Sequence, residues 1–246
     1  MKLSFVVPAH NEEDYVGECI ESIKRETDNA PYPVEITVVN NASTDKTASI
    51  ARSYAGVKVV DEPRKGIVWA RRAGLLASSG DLIANIDADS RLTRGWLKKV
   101  IRAFSDDPNL VALSGPFIHY DIPSRARKFL VRFWYGVVFI GQGVVKTLFG
   151  TGAFLQGGNY VVRRRAMEAI GGYNTNIEFH GEDSDIGRRI MKVGKVVFTF
   201  KLPVYSSARR INREGMVTTA FKYTLNYFWG LIFGKPFHSA YQDIRK

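Results

Sequence analysis

The sequence contains one cysteine, Cys19, among its 246 residues. A single cysteine excludes an intrachain disulfide and a metal site built from several thiolates, so we expect a reducing, cytoplasmic setting. The sequence also lacks a Gly-x-Gly-x-x-Gly motif after its first apolar run, which argues against a nicotinamide or flavin dinucleotide as ligand. Within the apolar segment 129–155, the longest uncharged run is 133–145, shorter than the ~20 residues that span a bilayer. We therefore expect no membrane-spanning helix there.

Acidic residues are scarce in the last quarter of the chain. The net charge is +11, yet residues 1–123 carry 15 Lys or Arg and 17 Asp or Glu, and residues 124–187 carry 8 and 5. Residues 188–246 carry 12 and 2, a net charge of +10. An excess of one sign in one region indicates an anionic partner, either nucleic acid or an anionic membrane, or else a solvated basic surface.

Hydrophobic periodicity divides the chain into strands and helices. In the first half, short β-rich runs alternate with helical patterns, which predicts an α/β fold with a mostly parallel, Rossmann-like sheet flanked by helices. The predicted strands are 3–8, 34–39, 57–60 and 82–86, and the helices between them are 12–24, 43–54 and 66–77. In the second half we expect helices at 96–104, 166–171, 182–194 and 216–234, and extended segments at 111–120 and 196–200.

Two aspartates follow the fourth predicted strand. Asp87 and Asp89 are separated by one residue, at the end of the apolar run 82–86. Ligands of open α/β sheets gather at the carboxyl ends of the strands. Carboxylate oxygens suit a hard divalent cation that keeps coordination sites for phosphate oxygens. The pair therefore indicates a cation that carries a diphosphate.

Polar loops also follow the first two predicted strands. Residues 8–12 and 40–45 each join a strand to a helix, where backbone N–H groups suit an anion or a nucleotide. Residues 64–66 and Arg71 add positive charge and a flexible turn. Because parallel strands carry these loops to one edge of the sheet, beside the two aspartates, we expect a nucleotide pocket with its own metal ion.

Eight short motifs occur in order along the chain: VVPAHNE at 6–12, NASTD at 41–45, GD at 80–81, DAD at 87–89, GGN at 157–159, GGY at 171–173, GED at 181–183 and RR at 188–189. Each motif is modest alone, but the ordered set resembles the family 2 glycosyltransferases. These are inverting enzymes with a GT-A fold that use nucleotide sugars. The resemblance implies a GT-A domain, transfer of a sugar from a nucleoside-diphosphate donor, and a divalent cation, Mn²⁺ or Mg²⁺.

The resemblance also implies roles for charged side chains. Asp89 would bind the cation that bridges the two phosphates, and Asp87 would contact the ribose or the same cation. Such a cation offsets the charge that builds on the departing nucleoside diphosphate. Arg71, or Arg209 and Arg210 from the far end of the match, would add charge-assisted contacts to the phosphate oxygens.

The resemblance places further residues around the nucleotide sugar. Ala9 and Glu12 would line the base and ribose pocket, with Asp45 nearby. The remaining residues expected to bind the donor are Pro8, Asn11, Asn40, Lys65, Gly66 and Gly158.

Asn40 departs from the family pattern, since many relatives carry Asp at this position, which reads the nucleotide base. An amide oxygen accepts from an imide N–H as a carboxylate does, so uracil, guanine and thymine all stay open. The resemblance implies a preference for UDP, which is frequent in the family. The Gln-x-x-Arg-Trp motif of processive synthases is absent. We therefore expect transfer of a single sugar.

Asp183 is the candidate catalytic base. Inversion by a single displacement needs a carboxylate that takes the proton of the attacking hydroxyl. Glu182, Asp183 and Asp185 crowd the start of one predicted helix, and we expect their mutual repulsion to raise at least one pKa. Acidic residues also favour a helix N-terminus for electrostatic reasons alone, so the assignment depends on the neighbouring motifs.

Aromatic and basic residues are interleaved in the segment 129–155 and in the tail, residues 216–246. The pattern fits helices that lie in the interface of an anionic membrane. Core packing or a homo-oligomer contact is the other interpretation. A membrane contact would favour a lipid-linked acceptor over a free glycan and a location at the inner face of the membrane.

The expected organisation is one GT-A domain at 1–215, with a nucleotide-sugar-binding half (1–115) and an acceptor-binding half (116–215), followed by an amphipathic helical tail. Two other functions stay open. One is a polyprenyl-phosphate glycosyltransferase, whose acceptor is a phosphate oxygen. The other is a basic nucleic-acid- or membrane-binding protein without catalysis. Because the charge excess accompanies long apolar stretches and no nucleic-acid module is recognised, we expect no nucleic-acid partner.

Overall fold

Two sheets form in the structure, a computed structural model that describes residues 1–122, 124–149, 153–177, 181–233 and 237. Numbered in chain order, seven strands of this described part make the central sheet: β1 (Leu3–Ala9), β2 (Val34–Asn41), β3 (Val57–Glu62), β4 (Leu82–Ile86), β6 (Leu110–Ser114), β8 (Asn159–Arg163) and β9 (Lys195–Phe198). A smaller sheet contains β5 (Ser90–Leu92), β7 (Phe117–His119) and β10 (Val204–Ser206).

The central sheet is mostly parallel, as predicted. Its order is β3-β2-β1-β4-β8-β6-β9, and only β8 runs antiparallel to its neighbours within the described residues. Ala9 of β1 lies beside Asn40 of β2, which lies beside Asp61 of β3. The carboxyl ends of three strands therefore meet at one edge, and the loop that carries Asp87 and Asp89 follows β4 at the same edge.

Helices cover both faces of the central sheet. Their bounds are α1 (Val16–Thr27), α2 (Thr47–Ser53), α3 (Ile67–Ala77), α4 (Trp96–Asp106), α5 (Arg125–Phe149), α6 (Arg164–Ala169), α7 (Glu182–Ile190), α8 (Arg209–Glu214) and α9 (Met216–Phe233). Apolar residues of α1, α2 and α4 pack on one face, and those of α3, α6 and α7 pack on the other. Along β1, Phe5 and Val7 contact the first group and Val6 the second, as is typical of strands covered on both faces.

The first two helices begin later than predicted. Helix α1 begins at Val16 and α2 at Thr47, four residues after each predicted start. Asn11 and Ala42 adopt φ angles of 49° and 53°, in the left-handed region that non-glycine residues seldom occupy. The chain therefore leaves each strand through a tight turn before it enters the helix, and helical spacing of the side chains does not reveal such a turn.

The apolar segment 129–155 lies largely in α5, a single helix of 25 residues. Its Arg125–Val145 segment is long and apolar enough to cross a membrane by length and composition alone, and only 6% of its apolar window is buried in the protein. The helix is longer than the uncharged run from which the expectation was drawn, because it continues through Arg132; that it crosses no membrane stays a prediction.

The predicted tail forms α9, which packs against α7 and α8. Residues 234–236 and 238–246 of the tail lie outside the described residues. Three strands, β5, β8 and β10, and the helix α8 were not predicted. The strands β5 and β10 have three residues each, too few for a periodic pattern to identify them, and they pair with each other although they lie far apart in the sequence.

Candidate active site

The loops after β1 and β2 are joined by side-chain hydrogen bonds. The backbone N–H of Thr44 donates to Asn11 Oδ1 at 2.9 Å, and that of Asn11 donates to Ser43 Oγ at 3.1 Å. The N–H of Glu12 donates to Thr47 Oγ1 at 2.7 Å. Because each bond joins one loop to the other, the two predicted nucleotide loops form one rigid unit.

The Asp45 carboxylate also joins these two loops. One carboxylate oxygen accepts from the backbone N–H of Thr47 at 2.9 Å, and the other accepts from the N–H of Glu13 at 3.1 Å. Although partial burial works in the opposite direction, these bonds lower the pKa of Asp45. The Asp45 carboxylate, which was predicted to lie near the pocket for the nucleotide base, therefore positions the backbone of the two loops.

Two consecutive asparagines end β2 and have different surroundings. Asn40 Nδ2 donates to Asp61 at 2.7 Å, while its Oδ1 is buried with no hydrogen-bond partner among the described residues. Asn41 Nδ2 donates to the carbonyl of Arg64 at 2.7 Å, and Asn41 Oδ1 accepts from the N–H of Gly66 at 2.8 Å. Sequence reasoning missed the role of Asn41, which anchors the loop after β3. The signal available in the sequence was an amide side chain close to the end of a predicted strand.

Asp87 lies between an arginine and a glycine. Arg71 Nη2 donates to Asp87 Oδ1 at 3.0 Å. Gly158 has a φ of 82°, and a Cβ atom built on it would lie 2.1 Å from Asp87 Oδ2, which is closer than atoms can approach. The position therefore requires glycine for two reasons, its left-handed backbone and the space that the carboxylate occupies.

Asp89 lies in a second cluster with Glu12 and Arg209. Arg209 Nη2 is 3.1 Å from Asp89 Oδ2, and Arg209 Nη1 donates to Glu12 Oε2 at 2.8 Å. Burial raises the pKa of Asp89 to about 7; the charge of Arg209 works in the opposite direction, and the charges of Glu12 and Asp87 add to the rise. Buried carboxylates whose ionised forms are disfavoured in this way can bind a cation, which would stabilise the negative charge.

Arg209 reaches this cluster because the preceding residues are anchored. Asp121, after β7, accepts from the hydroxyl of Ser207 and from the N–H of Ala208, both at 2.6 Å. The Arg209 guanidinium lies 4.9 Å from the centroid of the Tyr15 ring. Arg210, the next predicted phosphate contact, forms an ion pair with Glu214 at 2.7 Å.

Asp183 is the second residue of α7 and lies against the Gly157–Gly158 turn. The N–H of Gly157 donates to Asp183 Oδ2 at 3.2 Å, and that of Ser184 donates to Oδ1 at 2.8 Å. A Cβ atom on Gly157 would lie 3.2 Å from Asp183 Oδ2. The two glycines therefore separate Asp183 from Asp87 by the width of a backbone.

The pKa of Asp183 is raised, as predicted for one of the three acids, but for a different reason. Burial raises it, while hydrogen bonds and the charge of Arg71 work in the opposite direction. The neighbouring acids have their own partners, since Glu182 forms an ion pair with Arg71 and Asp185 forms one with Arg189 at 2.6 Å. Mutual repulsion, the cause expected from the sequence, is therefore offset by arginines.

The predicted site residues thus fall into connected groups at one sheet edge. Asp89, Glu12 and Arg209 form one group, and Arg71, Asp87 and Asp183 are linked through Glu182 and the glycine turn. Pro8 and Ala9 are the last, buried residues of β1, and Lys65 is exposed in the turn before Gly66.

The donor set for a cation consists of two carboxylates. Among the described residues, no group of three or more His, Cys, Asp or Glu side chains gathers at one point. Asp87 and Asp89 supply hard oxygen ligands, which suit Mn²⁺ or Mg²⁺ when phosphate oxygens and water complete the coordination. The residues present therefore fit a cation that binds together with a diphosphate.

The family model described as Glycosyl transferase family 2 matches residues 4–171 of the chain. This protein belongs to the family 2 glycosyltransferases. The family is one of glycosyl transferases, and a purely nucleic-acid- or membrane-binding function is not the one that this family has. The match ends before α7, so it contains the donor-side loops and not Asp183.

Two curated relatives illustrate the similarity of this glycosyltransferase to others. The glucosyl-dolichyl phosphate glucuronosyltransferase of Haloferax volcanii is 23% identical over 243 residues, which cover 93% of this chain and 72% of the relative. The putative glycosyltransferase EpsH of Bacillus subtilis is 32% identical over 114 residues, covering 44% of this chain and 32% of EpsH. The chain thus spans about a third of the length of EpsH.

Two solved structures have the same fold. A mannosyltransferase, PcManGT, from Pyrobaculum calidifontis in complex with GDP-Man and Mn²⁺ has a TM-score of 0.65 and 22% identity, covering 88% of this chain and 62% of PcManGT. Glucosyl-3-phosphoglycerate synthase from Mycobacterium tuberculosis, in complex with Mn²⁺, UDP-glucose and phosphoglyceric acid, has a TM-score of 0.64 and 19% identity. The match covers 96% of this chain and 80% of the synthase. The predicted GT-A fold is confirmed.

Proposed function

We propose that this glycosyltransferase moves a single sugar from a nucleoside-diphosphate sugar, with a UDP-sugar favoured, to an acceptor hydroxyl with inversion. The observation that carries the proposal is the placement of Asp87 and Asp183 on opposite sides of the Gly157–Gly158 turn. A donor held through its diphosphate beside Asp87 would present its anomeric carbon toward Asp183. This arrangement puts the carboxylate that would hold the cation on one side of the turn and the base on the other. It suits a single displacement at the anomeric carbon.

A divalent cation would be held by Asp89 and Asp87, and when bound it would supply Lewis-acid stabilisation of the leaving diphosphate. Arg209, whose Nη2 lies 3.1 Å from Asp89 Oδ2, would add a second positive charge beside Asp89. The structural neighbours that hold Mn²⁺ with GDP-Man or UDP-glucose support a cation of this kind.

Asp183 would act as the general base. Its carboxylate takes the proton of the acceptor hydroxyl as that oxygen bonds to the anomeric carbon, and the bond from this carbon to the diphosphate oxygen breaks. The raised pKa of Asp183, caused by burial, supports this role because a carboxylate of higher pKa is a stronger base. The N–H of Gly157 and that of Ser184 hold the carboxylate in place for the transfer.

The acceptor is proposed to be lipid-linked, at an anionic membrane surface. The exposed face of α5 carries Phe129, Phe133 and Ile140, with exposed fractions of 67%, 60% and 69%, and residues 125–149 contain five basic residues and no acidic one. Such a helix fits the interface of an anionic leaflet. The name of the Haloferax relative, which acts on a dolichyl phosphate sugar, supports this acceptor class.

The decisive experiment is a thermal-shift panel of UDP, GDP, dTDP and CDP, each with and without Mn²⁺. A ligand that binds only the folded state raises the apparent stability, by about 2.7 kcal/mol at a hundredfold excess over its dissociation constant. We expect a cation-dependent shift with UDP that the Asp89→Ala variant loses. No shift with any nucleotide would contradict the proposed function.

A phosphate acceptor is the alternative, as in the polyprenyl-phosphate glycosyltransferases. A phosphate oxygen is already ionised at neutral pH and needs no base, so this acceptor class makes Asp183 dispensable. The exposed apolar face of α5 fits a polyprenyl chain as well as another lipid. The Asp183→Asn variant described below distinguishes the two acceptors.

A further inference from the structure

Arg71 is buried far more deeply than a phosphate ligand needs to be. Its side chain on α3 is 2% exposed, although it follows a loop that faces the proposed donor. We propose that Arg71 is a positioning residue, which fixes the proposed cation ligand Asp87 and the start of the helix bearing Asp183 in one geometry, and that it does not bind the diphosphate. The proposal deepens the proposed function and rests on it.

Both ends of the guanidinium group are occupied by carboxylates. Nη2 donates to Asp87 Oδ1 at 3.0 Å, and Nη1 forms an ion pair with Glu182. The group also lies 5.4 Å from the centroid of the Tyr160 ring. A planar guanidinium presents its donors in a rigid fork, so two carboxylates bound to it are held at a set separation.

The two carboxylates belong to different halves of the enzyme. Asp87 follows β4 on the donor side, whereas Glu182 is the first residue of α7 and directly precedes Asp183. Glu182 is 7% exposed, and a buried acid that loses its partner leaves an uncompensated charge. Arg71 therefore links the proposed cation site to the proposed base through two residues, and breaking its link to Glu182 carries that cost.

The glycine turn makes this alignment sensitive to small movements. A Cβ on Gly158 would lie 2.1 Å from Asp87 Oδ2, and one on Gly157 would lie 3.2 Å from Asp183 Oδ2. The turn thus lies against both Asp87 and Asp183, while Arg71 holds Asp87 directly and reaches Asp183 only through the neighbouring Glu182. A misplacement of about 1 Å between a base and a reacting group can cost about 100-fold in rate.

The test uses two conservative variants of the full chain, Arg71→Lys and Glu182→Gln, with Arg72→Lys as the matched control. Arg72 lies on the same helix and is exposed. UDP binding with Mn²⁺ is measured by calorimetry, and turnover is measured as release of UDP from UDP-glucose and of GDP from GDP-mannose, with water as acceptor. Melting temperatures report whether each variant folds.

We expect turnover number to fall about tenfold or more in both variants, with the KM for donor and the Kd for UDP within about threefold of wild type. The double variant should be no slower than the worse single variant, because both break the same bridge. Arg72→Lys should match the wild type. Lysine keeps the charge and removes the fork, so a loss in Arg71→Lys reports geometry.

A different pattern overturns the proposal. If Arg71→Lys weakens binding of UDP about tenfold while binding of uridine stays the same, and Glu182→Gln keeps wild-type turnover, then Arg71 is a phosphate ligand. Should Arg71→Lys fail to fold, Glu182→Gln alone decides, because wild-type turnover in that variant contradicts the bridge. A wild-type chain that neither binds UDP nor turns over either donor contradicts the proposed function and not the positioning role alone.

Discussion

The loops that we propose to bind the donor and the helices that we propose to face the acceptor, called the donor side and the acceptor side below, are held together by different forces. On the donor side, hydrogen bonds between backbone atoms and the side chains of Asn11 and Asn41 join the loops after three strands. On the acceptor side, aromatic rings pack on α9: the rings of Phe154, in the segment after α5, and Tyr227 of α9 have centroids 5.2 Å apart. Hydrogen bonds fix the positions of individual atoms, whereas apolar contacts are non-directional.

The difference matches the ligands that we propose for each side. A nucleoside diphosphate is polar and is recognised through directional hydrogen bonds, so its site gains from loops whose atoms are held in place. A lipid-linked acceptor is apolar and variable, so helices with outward-facing rings suffice. The family match ends at residue 171 and thus contains the whole hydrogen-bonded side but only part of the aromatic one.

The largest effect should follow from a change at the junction of the two sides. We expect Asp183→Asn to lower turnover onto a hydroxyl acceptor by about 100-fold or more, because the amide cannot take the proton. UDP binding with Mn²⁺ should persist, since the donor loops are untouched. Steady-state kinetics and calorimetry measure the two; nearly full activity in this variant would favour the phosphate acceptor.

The pH profile of wild-type turnover tests the same residue without a mutation when it is measured at saturating Mn²⁺ and donor, since a bound cation keeps Asp89, whose own pKa is raised, ionised. Burial raises the pKa of Asp183 above its ordinary value, and only the ionised carboxylate accepts a proton. Turnover should therefore fall about tenfold per pH unit below that pKa, with a midpoint above the usual aspartate range of ~3.9. A midpoint at or below that range would show that burial does not control the base.

The next effect concerns the rigidity of the donor loops. Asn41→Ala removes the acceptor of the Gly66 N–H and the donor to the Arg64 carbonyl. Leaving such groups unpaired should cost about 1–3 kcal/mol of unfolding free energy, measured by urea denaturation, and should weaken UDP binding. The exposed Asn29 provides the control: Asn29→Ala should change stability by less than about 0.5 kcal/mol.

The smallest effect on stability should come from the exposed face of α5. A double variant with Phe133→Ser and Ile140→Ser should change the unfolding free energy by less than about 0.5 kcal/mol, yet reduce sedimentation with anionic phosphatidylglycerol vesicles. Leu76→Ser is the matched control, since Leu76 is 70% exposed on the donor side. Equal vesicle binding by all three proteins would remove the membrane from the proposal.

Local patterns predicted most elements of the donor side. The strand Leu82–Ile86 was predicted with its observed bounds, and the helices after the first two strands were predicted with starts that were early by four residues. Turns with left-handed residues such as Asn11 interrupt the pattern at those starts. Motif order along the chain also identified the family, because a motif needs only neighbouring residues to be seen.

Contacts between distant residues could not be predicted in the same way. Arg209 pairs with Glu12, 197 residues earlier, and the partner of Arg71 beyond Asp87 proved to be Glu182. Nothing in either local sequence distinguishes an arginine that binds a phosphate from one that holds two carboxylates. Their roles differ through burial, which depends on what the rest of the chain packs around them.

The sequence by itself determined which segments become strands and helices on the donor side, the family, and the acids available for chemistry, since these depend on short-range periodicity and composition. Only the tertiary structure decided which acid each arginine neutralises, why burial and not repulsion raises the pKa of Asp183, and that α5 exposes Phe129, Phe133 and Ile140. The physical reason is that desolvation, ion pairing and exposure are set by the surroundings of a group in space, and those surroundings come from segments far apart in the chain.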